Sequence, residues 1–208
     1  MNWMIATMLT GMTAFAATNV DDIVILTLFF ARVDKTLRQR HIVAGQYLGF
    51  LGLIVASLPG FLGGMIIPKV WLGWLGLLPI AIGIHYLLQP ATDHITLQTT
   101  VPQKQLHFAS ILSPQTYQVA AVTLANGGDN IGIYLPLFAK SNLAELAIIL
   151  SVFLTMIGVW CGIADQLARQ PLLSGALSRY GHRLVPFVLI GLGIFIFIDS
   201  GTHRLLIQ

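Results

Sequence analysis

The chain has 208 residues, of which 56% are hydrophobic and 9% are charged, with a formal net charge of +3. A soluble domain carries about 25% charged residues, so this composition excludes an ordinary soluble domain and indicates a membrane protein. The basic residues are spread among short connections without an aromatic-basic stripe, so we expect no nucleic-acid partner.

Six apolar segments are long enough to cross a bilayer as helices, which requires roughly 20 residues each. In chain order, the segments cover residues 3–31, 42–66, 70–89, 109–139, 143–164 and 184–202. The first and the fourth segments are longer than a span needs, and polar residues interrupt each of them. The sequence therefore predicts an all-α membrane protein with six transmembrane helices.

The Lys and Arg residues are distributed unequally between the two sets of connections. Eight of the 11 lie in the connections that follow the first, third and fifth spans. Because basic connections favour the cytoplasm, both chain termini are predicted to lie outside. The polar stretch 90–108 is predicted to be a cytoplasmic linker between a first half, 1–89, and a second half, 109–208.

The two halves share a polar motif. The segment ATNVDDIVILTLFFAR (17–32) aligns with ANGGDNIGIYLPLFAK (125–140) at a shift of 108 positions. The aligned polar residues are Asp21 with Asp129, Asp22 with Asn130, and Thr18 with Asn126. Glycines also align in AIGI (81–84) and GLGI (191–194). Three spans per half give successive halves opposite orientations, so the sequence predicts two inverted three-helix repeats, an architecture common in secondary transporters.

Three carboxylates, those of Asp21, Asp22 and Asp129, interrupt the apolar spans. A charged side chain in a span costs at least about 2.5–3.5 kcal/mol on insertion scales, so each should be buried against protein, paired, or bound to a cation. Every Lys and Arg lies at or near a predicted span end, so the spans offer no evident basic partner. These carboxylates therefore indicate a site that alternates between protons and a cation.

Other oxygen-bearing side chains accompany the carboxylates at helical spacing. Thr18 precedes Asp21 and Asp22 by three and four positions, which places all three on one helical face, and the second half repeats that spacing. Two such faces would form an oxygen cage for one divalent cation, such as Mn²⁺, Ca²⁺, Mg²⁺ or, less well, Cd²⁺. The predicted metal-site residues are Thr18, Asn19, Asp21, Asp22, Gln46, Asn126, Asp129 and Asn130.

Both motifs contain residues that weaken a helix. Gly127 and Gly128 would let the fourth span open and expose backbone carbonyls, and Asn19 is placed to cap a half-helix. Tyr134 fits an interfacial belt or packing better than a cage for organic cations.

Four segments carry a family resemblance: TNVDDIVILTLFFAR (18–32), GQYLGF (45–50), GLLPIAIGI (76–84) and GGDNIGIYLPLFA (127–139). Together they resemble the bacterial cadmium-resistance transporter family, within the lysine-exporter superfamily. The resemblance implies a six-span transporter of the bacterial inner (cytoplasmic) membrane that exports a divalent metal. By matching motif, its key polar positions would be Asp21, Asp22, Asp129 and Asn130.

Asn126 departs from the pattern of some cadmium exporters of that family, which have a cysteine at this position. A thiolate favours soft Cd²⁺ and an amide oxygen does not, so Mn²⁺ or another harder ion is a second candidate substrate. The metal is then a substrate, and no cofactor is expected. The expected partners are a divalent cation, protons and membrane lipid, and a homo-oligomer is left open.

Two alternatives stay open at this point. The first is an amino-acid exporter, as in the wider superfamily, although the spans have no buried arginine to bind a substrate carboxylate. The second is a non-transporting membrane subunit or an intramembrane enzyme, against which the repeat with its matched polar faces argues. The sequence has no P-loop lysine, Ser-His-Asp or HExxH motif, so we do not expect an enzyme.

Overall fold

The computed structural model describes residues 2–88, 113–170 and 186–202, and these residues form helices and short connections with no strand. The all-α prediction is thus confirmed for this part of the chain. The predicted linker, 90–108, lies outside the described residues, as do positions 109–112 at the start of the fourth predicted span.

The predicted spans coincide with helices or helix pairs, with ends shifted by a few residues. In chain order the helices are α1 (Asn2–Thr18), α2 (Val20–Ala31), α3 (Gln39–Ile66), α4 (Lys69–Leu72), α5 (Leu77–Leu88), α6 (Pro114–Asn126), α7 (Gly128–Lys140), α8 (Leu143–Ala168) and α9 (Pro186–Asp199). A 3₁₀ turn, Gly73–Gly76, joins α4 to α5.

Side-chain caps explain where several helices begin. Asn142 and Glu145 form a reciprocal capping box at the start of α8. The Asn142 backbone N–H donates to the Glu145 carboxylate at 2.8 Å, and the Glu145 backbone N–H donates to the Asn142 side-chain oxygen at 2.9 Å. Asp34 holds the turn before α3, because its carboxylate accepts hydrogen bonds from the backbone N–H groups of Thr36 and Leu37, each at 2.7 Å. A hydrogen bond from the Thr36 hydroxyl at 2.6 Å, together with these backbone bonds, lowers the pKa of the exposed Asp34 carboxyl.

Two helices, α3 and α8, are each long and apolar enough to cross a membrane. The α1–α2 pair is a third candidate and is bent by 61°. Two shorter apolar helices, Gly73–His85 and Pro186–Asp199, coincide with the third and sixth predicted spans. The described residues therefore give a multi-pass membrane protein, and the count of six spans stays a prediction.

Each of the two long helices packs on a helix pair from the other half of the sequence. Helix α3 lies along both α6 and α7, and α8 lies along both α1 and α2. Glycines four residues apart allow α3 to approach its neighbours closely: Gly45 and Gly49 face α6, and Gly60 and Gly64 face α7. A Cβ atom on Gly49 would lie 2.7 Å from the Ala120 carbonyl oxygen. Small residues at this spacing bring helix backbones together in membranes.

The apolar helices α5 and α9 cross through reciprocal contacts. A Cβ atom on a glycine of either helix would meet a backbone nitrogen of the other helix and a carbonyl oxygen in or directly before that helix. The contacts are Gly83 with Pro186 and Ile190, and Gly193 with Gly76 and Ile80. Gly83 and Gly193 are 110 positions apart in the chain, and the same shift relates Gly76 to Pro186 and Ile80 to Ile190. Such mutual contacts are typical of elements related by a two-fold axis.

Polar contacts join helix ends that the predicted topology places on the same side. Lys140, at the end of α7, forms an ion pair with Asp199, at the end of α9. Asp165, near the end of α8, accepts hydrogen bonds from Gln39 and Arg169, each at 3.0 Å. Neither group of contacts crosses from one predicted side to the other.

Aromatic rings fill the centre of the molecule, where α1, α3, α7 and α8 meet. The fully buried rings are Phe15, Phe50, Tyr134, Phe138 and Phe153. The Tyr134 ring centroid lies 4.6 Å from that of Phe153 and 5.9 Å from that of Phe50. Packing, one of the two roles expected for Tyr134, is confirmed.

Candidate cation site

Both motif-bearing spans break at the motif. A single residue, Asn19, separates α1 from α2, and Gly127 separates α6 from α7. Equivalent backbone bonds form at the two breaks: Asn19 donates to the Phe15 carbonyl at 3.1 Å, and Gly127 donates to the Thr123 carbonyl at 3.0 Å. The first and fourth predicted spans are therefore broken helices of similar construction.

The predicted helical faces are divided by these breaks. Thr18 ends α1, whereas Asp21 and Asp22 lie in the first turn of α2. In the second half, Asn126 ends α6, and Asp129 lies in the first turn of α7. The expectation of one continuous face in each half is wrong, because the spacing rule holds only within an uninterrupted helix.

The acidic residues lie at the N-termini of the second half-helices. Asp21 accepts a hydrogen bond from the Asp22 backbone N–H at 3.1 Å, and Asp129 accepts one from the Asn130 N–H at 3.0 Å. The first-turn N–H groups and the positive end of the helix dipole both favour negative charge. Each break thus presents a carboxylate where the helix stabilises it.

At the second break, the absence of a side chain on Gly127 leaves room for the neighbouring helix α3. The helix opens at Gly127 as predicted, with backbone torsions of φ −84° and ψ 21° that are also available to other residues. A Cβ atom on Gly127 would collide with the Leu53 side chain of α3, whereas one on Gly128 would meet open space. Alanine at position 127 would therefore force the buried Leu53 side chain to shift.

Asn126 joins the second half to both carboxylates of the first. Its side-chain nitrogen lies 2.9 Å from Asp21 Oδ2 and 2.8 Å from Asp22 Oδ1. Gln46 of α3 approaches the same group, with its side-chain nitrogen 3.3 Å from Asp22 Oδ2. Carboxylates accept hydrogen bonds, so both amides present N–H groups here, and each would have to rotate to offer an oxygen to a cation.

Thr123 orients Gln46 and was not predicted as a site residue. Its hydroxyl donates to Gln46 Oε1 at 2.6 Å, which leaves the amide nitrogen facing Asp22. Thr123 lies three residues before Asn126 in α6, so its helical spacing was the signal available in the sequence.

A second polar cluster surrounds Asn19. The Asn19 side-chain nitrogen lies 2.8 Å from both the Phe15 carbonyl oxygen and Thr18 Oγ1, and 2.9 Å from the Tyr134 hydroxyl. Thr18 Oγ1 and the Tyr134 hydroxyl are themselves 2.7 Å apart. Asn19 occupies the N-cap position of α2 but makes no side-chain capping bond, so its predicted capping role is wrong.

Two aromatic side chains complete this cluster without having been predicted to do so. The Trp160 indole donates to the Asn19 backbone carbonyl at 2.7 Å, which satisfies an oxygen freed by the helix break. Tyr134 supplies its hydroxyl from the buried aromatic core. A tyrosine inside an apolar span needs a hydrogen-bond partner, and this requirement was the signal available in the sequence.

Asn130 lies beside Asn19 and is 1% exposed. Its side-chain nitrogen is 3.4 Å from Asn19 Oδ1. Its side-chain oxygen is buried and has no hydrogen-bond partner among the described residues. A buried oxygen without a donor is a candidate cation ligand.

The carboxylates differ in burial. Asp22 is 3% exposed, whereas Asp21 and Asp129 are half-buried, so the expectation of three buried carboxylates holds for Asp22 alone. Asp129 is close enough to contribute to the electrostatic environment of Asp22. Across residues 2–88, 113–170 and 186–202, no three His, Cys, Asp or Glu side chains form a metal-binding group.

Seven of the eight predicted residues are therefore brought together as two adjoining groups instead of one cage. The first contains Asp21, Asp22, Gln46 and Asn126, and the second contains Thr18, Asn19 and Asn130. Asp129 precedes Asn130 at the second break.

An apolar helical protein with two broken helices and polar side chains meeting across the breaks has the features of a membrane transporter. The chain matches the family model of the cadmium resistance transporters over residues 15–208 and belongs to that family. The resemblance of its motifs to this family is thus confirmed, and membership in a transporter family is consistent with a protein that is not an enzyme. No curated protein and no solved structure matches the chain.

Proposed function

We propose that the protein is a secondary transporter that exports a divalent cation in exchange for protons, with the cation bound between the two helix breaks. The contact of Asn126 with Asp21 and Asp22 carries this proposal. One nitrogen lies within 2.9 Å of oxygens from two carboxylates, so the two acids converge on a single point. A divalent cation placed between them would receive oxygen ligands from both.

The proposed coupling of cation transport to proton transport would follow from the need to neutralise the carboxylates of Asp21 and Asp22. Asp22 is buried, and amide groups supply the side-chain hydrogen bonds that it accepts. Two adjacent carboxylates in a site of low dielectric repel each other unless a proton or a cation neutralises them. Binding a divalent cation would release protons, and protonation would release the cation.

Alternating access would come from two inverted halves, 1–89 and 109–208, connected by the cytoplasmic linker 90–108. The packing of α3 on the α6–α7 pair, matched by α8 on the α1–α2 pair, supports this arrangement. The reciprocal contacts of Gly83 and Gly193 support it further. Rocking of one half against the other would expose the breaks to each side in turn. The proposed location is the bacterial inner membrane, with both termini outside.

The donor atoms favour a harder ion than the family description indicates. Carboxylate, amide and hydroxyl groups line the two breaks, and such oxygen donors suit Mn²⁺ better than Cd²⁺. We propose that Mn²⁺ or a similar ion is a substrate and that Cd²⁺ is carried as well.

Transport by purified protein in proteoliposomes tests the proposal. A panel of divalent cations is offered under an imposed pH gradient, with Asp21→Ala, Asp22→Asn and Asp129→Ala as site variants. Asp165→Asn is the matched control, because Asp165 lies at a helix end and contacts Arg169. We expect gradient-dependent metal transport by the parent and the control, and its loss in the site variants.

Equal transport by all variants would refute the proposed site. Transport of an amino acid without any metal would instead favour the amino-acid exporter. Transport of neither substrate would favour a non-transporting subunit.

A further inference from the structure

The side-chain oxygen of Asn130 is buried and has no hydrogen-bond donor among the described residues. Leaving such a group unsatisfied destabilises the folded protein, because the desolvation of the oxygen is not compensated. The side chain is 1% exposed, so bulk water does not offset this cost. An oxygen held in this state points to a ligand that supplies positive charge.

Neighbouring groups dictate which end of the Asn130 amide carries the oxygen. The Phe15 carbonyl can only accept a hydrogen bond, so the end of Asn19 that lies 2.8 Å from it must be the NH₂ group. The opposite end of Asn19 is then its oxygen, which faces Asn130 at 3.4 Å. Asn130 must present its own NH₂ group to that oxygen, and its carbonyl oxygen is directed away from Asn19.

Tyr134 strengthens this chain of orientations. Its hydroxyl accepts a hydrogen bond from Asn19 at 2.9 Å and contacts Thr18 at 2.7 Å. The ring is fully buried against Phe50 and Phe153, which restricts its movement. The core therefore fixes the position of the hydroxyl. The hydroxyl helps to fix the orientation of the Asn19 amide, and this amide in turn orients the amide of Asn130.

The two halves differ in the hydrogen bonds that their aligned residues, Asp22 and Asn130, accept. Asp22, which aligns with Asn130, receives hydrogen bonds from Asn126 and Gln46. The Asn130 oxygen receives none from the described residues. The second half thus holds an oxygen ready for a cation, whereas the first-half carboxylate must first give up its amide donors.

We propose that Tyr134 and Asn19 are positioning residues that turn the Asn130 carbonyl oxygen toward the transported cation. This inference rests on the proposed function. It assigns Asn130 as a ligand, and it gives Asn19 an orienting role in place of direct coordination. Removing groups that orient a metal ligand in this way typically lowers metal affinity by about 10–100-fold.

Equilibrium binding of Mn²⁺ and Cd²⁺ to the purified protein tests the inference. Tyr134→Phe removes only the hydroxyl. Tyr47→Phe is the matched control, because the Tyr47 hydroxyl bonds to the Leu154 carbonyl at 2.9 Å, away from the breaks. We expect Tyr134→Phe to weaken Mn²⁺ binding about tenfold or more and Cd²⁺ binding less, because an oriented amide oxygen favours the harder ion. Tyr47→Phe should bind both ions as the parent does.

A double-mutant cycle separates positioning from a general structural effect. In an Asn130→Ala background the oriented oxygen is gone, so Tyr134→Phe should cost less than about twofold in Mn²⁺ affinity. An equal loss in both backgrounds, or no loss in the parent, would overturn the inference.

The Asp22→Asn variant distinguishes this inference from the proposed function. If Asp22→Asn weakens binding and Tyr134→Phe does not, the positioning role fails and the proposed site survives. If the parent binds neither ion, both fail.

Discussion

The side-chain nitrogen of Asn126 lies 2.8 Å from Oδ1 of Asp22, which is 104 positions away in the chain. This contact joins the end of α6 to the first turn of α2, so it connects the helix breaks of the two halves. The amide group donates to a carboxylate where a transported cation would be expected to bind. Asn126 and the cation therefore compete for the same oxygens.

Replacing Asn126 with cysteine should change the ion preference. A thiolate at this position would lie beside both carboxylates and would favour soft Cd²⁺ over Mn²⁺. We expect Asn126→Cys to raise the ratio of Cd²⁺ to Mn²⁺ affinity by at least about tenfold, or about 1.4 kcal/mol. Asn126→Ser has a similar size without the sulfur and serves as the control. An unchanged ratio in Asn126→Cys, measured by equilibrium binding, would argue against a cation at this position.

The close packing of α3 on α7 should be sensitive to a single methyl group. A Cβ atom on Gly60 would collide with the Leu135 carbonyl oxygen, whereas one on Gly162 would meet no atom within 4 Å. We expect Gly60→Ala to lower the free energy of unfolding by about 1–3 kcal/mol through overpacking. Gly162→Ala should have little effect. Thermal unfolding in detergent compares the two, and equal melting temperatures would contradict the packing described.

The predicted topology places the connections between helices on defined sides of the membrane, which thiol labelling can test. In a Cys161→Ala background, Lys35→Cys and Gln170→Cys introduce thiols at exposed positions near the predicted cytoplasmic ends. Leu143→Cys introduces one near the predicted outer end, where Leu143 is 73% exposed. An impermeant thiol reagent added outside intact cells should label position 143 and spare positions 35 and 170. Labelling of all three would contradict the inverted arrangement, and the reverse pattern would contradict the predicted sidedness.

Much of the helical layout could be predicted from the sequence. Apolar segments of about 20 residues define helices well, because backbone groups in a bilayer must pair within the segment. The repeated motif also marked both breaks, since polar residues interrupted the first span, and polar residues with two glycines interrupted the fourth span at aligned positions.

The arrangement of the site was less predictable. The spacing of Thr18 and Asp22 indicates a shared face only if the helix continues through Asn19, and it ends there. Whether Asn126 offers an oxygen or an N–H group depends on the carboxylates that tertiary packing brings to it. Tyr134 resembles any other buried aromatic residue in the sequence, and only the fold places its hydroxyl beside Thr18.

The central claim is that Asp22 and its neighbours bind a divalent cation between the breaks. Electron paramagnetic resonance tests it most directly, because the signal of free Mn²⁺ falls as the ion binds to purified protein. We predict saturable binding by the parent and by Asp165→Asn, with affinity at least about tenfold weaker in Asp22→Asn, since a neutral amide replaces the buried charge. Equal Mn²⁺ affinity in Asp22→Asn and the parent would contradict the account.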